Sequence, residues 1–251
     1  MELSFKHQLG LVCVILLFPA LCSCQEYYTK SRASFYGSPD GYGVSSGACG
    51  FGEYGRMVNN GIVAAVSGRL WRNGAACGTC YQVRCKIAEY CNANGANVVV
   101  TDYGEGDRTD FILSPRALEQ LGRNNASEKL KKYGVLDIEY KRVPCRYPGN
   151  VLFHVKESSN NPGYFAVILL NVNGKYDVTA VELWRKERRQ WEPLRRVYGA
   201  VFDFANPPEG ELSLRFQVTY PKGYTDWVYP KTPIPAYWKP GATYDTKIQL
   251  N

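Results

Sequence analysis

The chain has 251 residues, a formal net charge of +7 and nine cysteines. That length allows one large domain or two modest ones, each able to bury a hydrophobic core. The positive excess is spread along the chain rather than concentrated in one element, so it favours weak attraction to an acidic matrix over binding in a nucleic-acid groove. No nucleic-acid partner is expected.

A targeting signal is predicted for residues 1–24. The basic residue Lys6 precedes an apolar run, Leu9–Leu21, and small residues then lead to Cys24, which is the pattern of a secretory signal peptide. The run is shorter than the roughly 20 apolar residues that span a bilayer, so no stable membrane insertion is expected. We therefore expect a secreted protein that begins after this signal.

Short stretches along the rest of the chain have the patterns of β-strands. Some alternate apolar with polar residues, as half-buried strands do, and others are continuous apolar runs that suit buried strands. The predicted strands are Gln82–Cys85, Ala96–Thr101, Leu136–Tyr140, Phe165–Val172, Val178–Trp184, Ala200–Phe204 and Leu212–Thr219. One helix is indicated, with Ser114 as its N-cap, Pro115 in first position and Gly122 at its end. This spacing predicts an all-β chain with a barrel followed by a sandwich.

The cysteines divide the chain in two. Three leave with the signal, and the other six lie between Cys49 and Cys145. An even number in a secreted protein indicates three disulfides in one of fifteen pairings, whereas the rival zinc cluster is disfavoured by secretion and by a total of two histidines. A Pro-Gly-Asn breaker then indicates a linker at 146–150. We predict domains at 25–145 and 151–251, with no metal or cofactor.

Short motifs rich in glycine, cysteine and aromatic residues occur in both halves. They are Ala33–Gly37, Gly47–Gly52, Cys77–Tyr81, Thr101–Asp102, Val143–Cys145, Asn161–Tyr164, Tyr198–Phe202 and Ile234–Trp238. In order and spacing they resemble the expansin family, and within it the expansin-like B group of plants. The resemblance implies a double-psi β-barrel, then an immunoglobulin-like β-sandwich that binds polysaccharide. It also implies the disulfides Cys49–Cys77, Cys80–Cys145 and Cys85–Cys91.

The resemblance also implies a polysaccharide-binding cleft in the first domain. Inverting glycoside hydrolases need two carboxyl groups about 6.5–9.5 Å apart, and expansins resemble them but typically keep only the acid. The matching position here is Ile112, which cannot transfer a proton, so no catalytic residue is assigned. Asp102 and Tyr36 match retained positions, and together with Ser34 they are candidates for binding sugar hydroxyls. Asp110 shares a strand face with Ile112 and is a further candidate, its alternative being a role at the strand end.

Aromatic side chains of the second domain form a candidate binding platform. Tyrosine and tryptophan offer a rigid apolar face to a pyranose ring and a polar edge to its hydroxyls. By resemblance, the platform residues are Tyr164, Tyr198 and Phe202. We assign Trp184, Trp191 and Trp238 to packing, because an aromatic residue in an all-β chain is more often core than platform.

Two further features are expected on the surface, a basic run and a glycosylation acceptor. Arg185–Arg189, followed by Arg195 and Arg196, is the densest basic run. We predict a solvated hairpin with interleaved glutamates, and the alternative is contact with pectin carboxylates. The sequence Asn-Ala-Ser at Asn125 is an N-glycosylation acceptor.

Three functions remain open at this point. The leading hypothesis is a non-enzymatic, monomeric, extracellular protein of the cell wall that binds cellulose, xyloglucan or pectin and loosens non-covalent contacts between polymers. The rival is a residual glycoside hydrolase that uses Asp102 with Asp110, and release of reducing sugar would distinguish it. The third is a defence or signalling protein on the same scaffold without wall-loosening activity, for which we expect no binding to any wall fraction.

Overall fold

The structure, a computed structural model, describes residues 27–106, 108–220 and 223–250. The predicted signal peptide lies outside these ranges. Within them, no helix is both long and apolar enough to cross a bilayer. The described chain consists mainly of β-strands in two domains, which confirms the all-β prediction.

The first domain is a closed six-stranded barrel with the strand order β1-β5-β2-β4-β3-β6. Its strands are β1 Thr29–Phe35, β2 Val63–Val66, β3 Cys80–Cys85, β4 Ala96–Tyr103, β5 Phe111–Leu113 and β6 Leu136–Val143. β1 pairs in parallel with β5, and β2 pairs in parallel with β4. Along β6, buried Leu136, Ile138 and Tyr140 alternate with more exposed residues, as the sequence pattern predicts.

Short helices cover parts of the barrel. They are α1 Glu53–Met57, α2 Gly68–Trp71, α3 Pro115–Leu121 and α4 Ser127–Lys131, with 3₁₀ turns at Val58–Gly61 and Arg72–Gly74. The predicted helix is α3: the Ser114 hydroxyl accepts a hydrogen bond from the Ala117 amide at 3.2 Å, and Gly122 follows the last turn. Asn125 is exposed in the turn between α3 and α4.

Three disulfides staple the barrel. The bonded pairs are Cys49–Cys77, Cys80–Cys145 and Cys85–Cys91, with Cα–Cα distances of 5.5, 5.3 and 5.7 Å. These distances lie within the usual range for disulfides. The pairs are the ones that the resemblance implies, and one of them anchors the last residues before the predicted linker.

The second domain is a sandwich of two antiparallel sheets. Its strands are β7 Leu152–Val155, β8 Tyr164–Leu170, β9 Asp177–Arg185, β10 Gln190–Pro193, β11 Arg195–Tyr198, β12 Val201–Ala205, β13 Leu214–Thr219, β14 Thr225–Val228 and β15 Thr243–Asp245. One sheet has the order β10-β9-β13-β14 and the other β11-β12-β8-β7-β15. Phe153, Phe165, Phe216 and Trp238 are buried between them. Burial of Trp238 confirms its assignment to packing.

β8 is buried on both of its faces. Successive strand residues point to opposite faces, so the strand has two separate sets of neighbours. Phe165, Val167 and Leu169 belong to the core of the sandwich. Ala166, Ile168 and Leu170 belong to a second core that they share with the barrel. This explains the continuous apolar run in the sequence, and it means that the two domains pack through a common hydrophobic core.

Polar contacts also cross the junction of the two domains. The Arg72 guanidinium donates two hydrogen bonds to the Asp177 carboxylate, at 2.8 and 2.9 Å. The Arg142 guanidinium lies 2.6 Å from the same carboxylate. The Ala200 amide donates to the Cys49 carbonyl at 3.0 Å. Together these contacts fix how the sandwich sits against the barrel.

Candidate functional site

The barrel register brings three of the residues selected from the sequence into one row. Ser34 is opposite Ile112, Ile112 is opposite Ala65, and Ala65 is opposite Asp102. The row therefore crosses β1, β5, β2 and β4. Neighbouring strands are about 4.8 Å apart, so the backbone of Asp102 lies roughly 10 Å from that of Ile112.

The centre of this row is apolar. A Cβ atom added to Gly104 would lie 2.8 Å from the Ile112 Cδ1 atom and 3.4 Å from the Ala65 Cβ atom. Ile112 therefore packs closely over the Gly104 backbone and beside Ala65. Ile112 therefore offers a sugar only an apolar contact.

Asp102 lies at the β4 end of the row, where backbone amides hold its carboxylate. The Asp102 Oδ1 atom accepts hydrogen bonds from the Ala48 amide at 2.6 Å and from the Tyr103 amide at 2.8 Å. Burial, with a further contribution from the Asp102 charge, raises the pKa of Tyr36 to about 12. A hydrogen bond with the buried Ser114 side chain opposes this rise in the pKa of Tyr36.

Asp110 is engaged inside the protein, so the prediction that it binds sugar in the cleft is wrong. Asp110 is only 8% exposed. Its carboxylate accepts hydrogen bonds from Ser31, from Ser67 at 2.8 Å and from Arg69 at 3.2 Å. Burial alone would raise the pKa of Asp110, but these hydrogen bonds outweigh it and the pKa is lowered. The carboxylate is therefore ionised and occupied, which matches the alternative role at the strand end.

Two of the three predicted platform residues lie on the barrel-facing side of the second domain. Tyr198, in β11, is 51% exposed. Tyr164, at the start of β8, is half-buried, and its hydroxyl donates to the Asp203 carboxylate at 2.9 Å. Arg195 also donates to Asp203, at 2.7 and 3.1 Å. The carboxylate that accepts from the Tyr164 hydroxyl is therefore itself fixed by an ion pair.

Phe202 is the exception, and its assignment to the platform is wrong. The residue is 2% exposed and lies in the sandwich core. The reason is the alternation of β12, in which Val201 belongs to the core shared with the barrel and the next side chain points the other way. Phe202 supports the sheet from inside and cannot stack on a sugar.

A groove at the junction contains aromatic residues that the sequence analysis missed. It has a volume of about 510 Å³ and is lined by residues of both domains, among them Trp71, Tyr103 and Tyr198. The rings of Trp71 and Tyr103 lie 5.6 Å apart, and Tyr103 is 43% exposed. In the sequence, only the position of Tyr103 directly after Asp102 would have suggested a role in binding for it.

Trp184 and Trp191 do not pack in the core as expected. They face each other across β9 and β10 at 5.3 Å, on the outer side of the sheet, and neither belongs to a buried cluster of the described residues. The Arg215 guanidinium lies over the rings of Trp191 and Trp227, at 4.5 and 4.1 Å. Cation–π contacts therefore stabilise the tryptophan side chains on this outer face.

Nearby glutamates neutralise much of the charge of the basic run. Arg185 and Arg188 both pair with Glu192, at 3.4 and 3.0 Å, and Lys186 pairs with Glu211 at 3.4 Å. The segment forms the β9–β10 hairpin. This arrangement agrees with the solvated hairpin that we predicted.

The comparisons with known proteins agree with this architecture. A family model described as the expansin C-terminal domain matches residues 151–235, and one described as lytic transglycolase matches residues 63–140. The crystal structure of apo expansin from Clavibacter michiganensis has a TM-score of 0.67 at 24% identity, covering 89% of this chain and 98% of that one. A second structure, of a point variant of that expansin in complex with cellohexaose, has a TM-score of 0.66, also at 24% identity.

The fold and these matches define a two-domain protein of the expansin type, with a six-stranded barrel followed by a β-sandwich. The chain belongs to the expansin family and, within it, to the expansin-like B group of plants. It is 49% identical to expansin-like B1 of Arabidopsis thaliana over 94% of both chains. It is 39% identical to expansin-like B1 of Oryza sativa over 98% of this chain and 97% of the relative.

Proposed function

We propose that this protein is secreted to the plant cell wall, binds glucan-type polysaccharide along a surface that crosses both domains, and loosens non-covalent contacts between polymers without hydrolysis. The observation that carries the proposal is the groove in which Tyr198 of the sandwich and the Trp71–Tyr103 pair of the barrel lie together. Planar aromatic side chains separated by one groove suit stacking on successive pyranose rings.

The barrel row extends this surface. The Ala48 and Tyr103 amides, which hold the Asp102 carboxylate, belong to residues that line the groove. A chain that follows the row therefore passes Ser34 and Asp102, which can hydrogen-bond to sugar hydroxyls, before it reaches the aromatic rings. The related bacterial expansin in complex with cellohexaose supports a glucan ligand.

Hydrolysis is not supported by the geometry. An inverting mechanism needs a protonated carboxylic acid on one side of the bond and a carboxylate on the other. Asp110 is ionised, because Arg69 and two serines stabilise its charged form, and Ile112 has no proton to give. If Asp102 acted as the carboxylate base, no protonated carboxylic acid would be available from Asp110 or Ile112.

The test is binding of the full-length secreted protein to insoluble cellulose and to xyloglucan. Tyr198→Ala and Trp71→Ala should each weaken binding by about five- to tenfold, since stacking of an aromatic ring contributes roughly 1 kcal/mol or more. Tyr133→Ala is the matched control, because Tyr133 is equally exposed, at 52%, and does not line the groove. Binding that all three variants retain in full would exclude the groove as the site.

The defence or signalling alternative is separated by the same experiment. It predicts that the wild-type protein, folded and with its disulfides intact, binds no wall fraction at all. Extension of isolated wall strips under constant load then distinguishes simple binding from loosening. A protein that binds but produces no extension would contradict the loosening part of the proposal.

A further inference from the structure

The strand that contains Tyr198 has a β-bulge just before this residue. In the pairing of β11 with β12, Arg196 is opposite Phe202 and Tyr198 is opposite Val201, so Val197 is an extra residue on β11. In a regular antiparallel ladder Val197 would take the place opposite Val201. A bulge re-aims the side chains that follow it, and here it gives that place to Tyr198.

The place opposite Val201 faces the barrel. A Cβ atom added to Gly50 would lie 2.7 Å from the Val201 Cγ2 atom and 2.8 Å from the Tyr198 Cε2 atom, so both side chains pack on the backbone of this barrel residue. Arg196 and Phe202 lie on the opposite, inner side of the sheet, with the guanidinium 4.3 Å from the centre of the ring. Without the bulge, the alternation of the strand would direct Tyr198 to that inner side.

Arg196 holds the bulged segment from the inner side. Its two Nη atoms donate hydrogen bonds to the Gly199 carbonyl at 2.5 Å and to the Val178 carbonyl at 2.6 Å. The first bond spans Val197 and Tyr198, and the second ties this segment to β9 of the other sheet. Two bonds to the backbone therefore fix the part of the chain from which the Tyr198 ring projects.

The barrel holds the same segment from the other side. Gly199 has a φ of +46°, and a Cβ atom added to it would lie 2.2 Å from the Ala48 carbonyl oxygen. A Cβ atom added to Gly74 would lie 2.3 Å from the Gly199 carbonyl oxygen. The peptide after Tyr198 is thus packed between the barrel backbone and Arg196, and its orientation depends on both.

Burial makes this a costly place for a charge. It lowers the pKa of Arg196 to about 10, despite the opposing effect of the Asp177 carboxylate. Arg196 is still charged at neutral pH, and its hydrogen bonds go to neutral carbonyl groups. For packing against Phe202 alone, an apolar side chain would avoid this cost. What arginine adds is a planar fork that reaches two carbonyl groups at once.

We propose that Arg196 is a positioning residue for polysaccharide binding: it stabilises the β-bulge that directs the Tyr198 ring into the groove, and it does not itself contact the sugar. This rests on the proposed function, in which Tyr198 stacks on a pyranose ring. Because the effect of Arg196 on binding passes through Tyr198, it disappears once the Tyr198 ring is removed.

The experiment is a double-mutant cycle on binding of the full-length secreted protein to insoluble cellulose. Arg196→Met keeps an unbranched side chain without donors, and it should weaken binding about threefold, because a misplaced ring keeps only part of its stacking energy. In the Tyr198→Ala background the same change should cause no further loss. Arg196→Lys, which keeps the charge without the planar fork, should lie between Arg196→Met and wild type.

Arg215→Met is the matched control. Arg215 also packs on aromatic rings, those of Trp191 and Trp227, but it lies in the other sheet. Its removal should leave binding unchanged. Hydrogen exchange at residues 195–201 gives a second measurement that needs no ligand, and it should be faster in Arg196→Met than in wild type or Arg215→Met.

The results separate the two proposals. Unweakened binding by a folded Arg196→Met variant, or a further loss in the double variant, overturns the positioning role and leaves the proposed function intact. Failure of the wild-type protein to bind, or of Tyr198→Ala to weaken binding, overturns the proposed groove itself. Hydrogen exchange then still decides whether Arg196 fixes the bulge, and equal exchange in the two methionine variants contradicts it. If a melting curve shows that Arg196→Met is unfolded, Arg196→Lys takes its place in both measurements.

Discussion

The two domains are stabilised in different ways. Three disulfides staple the barrel, whereas the described part of the sandwich has none and depends on the aromatic and aliphatic core between its sheets. The barrel also contains the row from Ser34 to Asp102 and the Arg69–Asp110 ion pair, while the sandwich presents Tyr164 and Tyr198. Among the described residues, covalent restraint is therefore found in the barrel, and the sandwich is held together by packing.

The largest effect should come from removing the disulfides. In the chain-entropy picture a bridge that closes 65 residues, such as Cys80–Cys145, contributes about 4 kcal/mol, and one that closes 6 residues, Cys85–Cys91, about 2 kcal/mol. Reduction should therefore raise hydrogen exchange in β6 far more than in β13. Equal loss of protection in the two strands would contradict the contrast between the domains.

The next largest effect separates two neighbouring aromatic residues of the sandwich. Phe202→Ala should lower the free energy of unfolding by about 3–5 kcal/mol, because it leaves a cavity in the core. Tyr198→Ala should lower it by less than about 1 kcal/mol, because the ring is half exposed. Urea denaturation measures both values. Binding that depends on Phe202 in a fully folded variant would restore Phe202 to the platform.

A smaller effect concerns acid stability. The folded-state pKa of Asp110 is lowered, so its contribution to stability is present above the ordinary aspartate pKa of about 3.9 and is lost as pH falls through the folded-state value. Asp110→Asn should cost about 1 kcal/mol at neutral pH, after allowance for partial solvent screening, and should flatten the loss of stability below about pH 4. An unchanged pH profile would mean that other carboxylates dominate it.

The last prediction is that the protein hydrolyses no glucan. Long incubation with soluble and crystalline glucans at pH 4–7 should release no reducing ends, because Ile112, at the position that the resemblance assigns to the acid, cannot donate a proton. Release that disappears in Asp102→Asn would show that the barrel performs chemistry after all. A glycosidase contaminant is recognised by activity that persists in this variant.

Much of the architecture was accessible from the sequence. Alternation along β6, the capped start of α3 and the position of the cysteines each depend on local chemistry, and the structure contains all three as predicted. The motif resemblance led to the disulfide pairs, and it selected Ser34 and Asp102, which lie in one row of the barrel. Local patterns are informative where only one face of an element is apolar.

The errors have a common physical origin. Around Val201 and Phe202 both faces of the strand are apolar, because one meets the barrel and the other the sandwich core, so periodicity cannot decide which side chain is exposed. The role of Asp110 depends on Arg69, which lies 41 positions away in the chain. The groove residues Trp71 and Tyr198 become neighbours only when the domains dock, which no local pattern records.

The two-sided burial of β8 has a consequence for attempts to use the sandwich by itself. Cutting the chain at the linker would uncover the strip formed by Ala166, Ile168 and Leu170, an apolar surface in the middle of a sheet. Exposed patches of this kind promote self-association. A soluble binding module made from residues 151–250 would therefore need polar replacements along that strip, and it would still lack the Trp71 half of the groove.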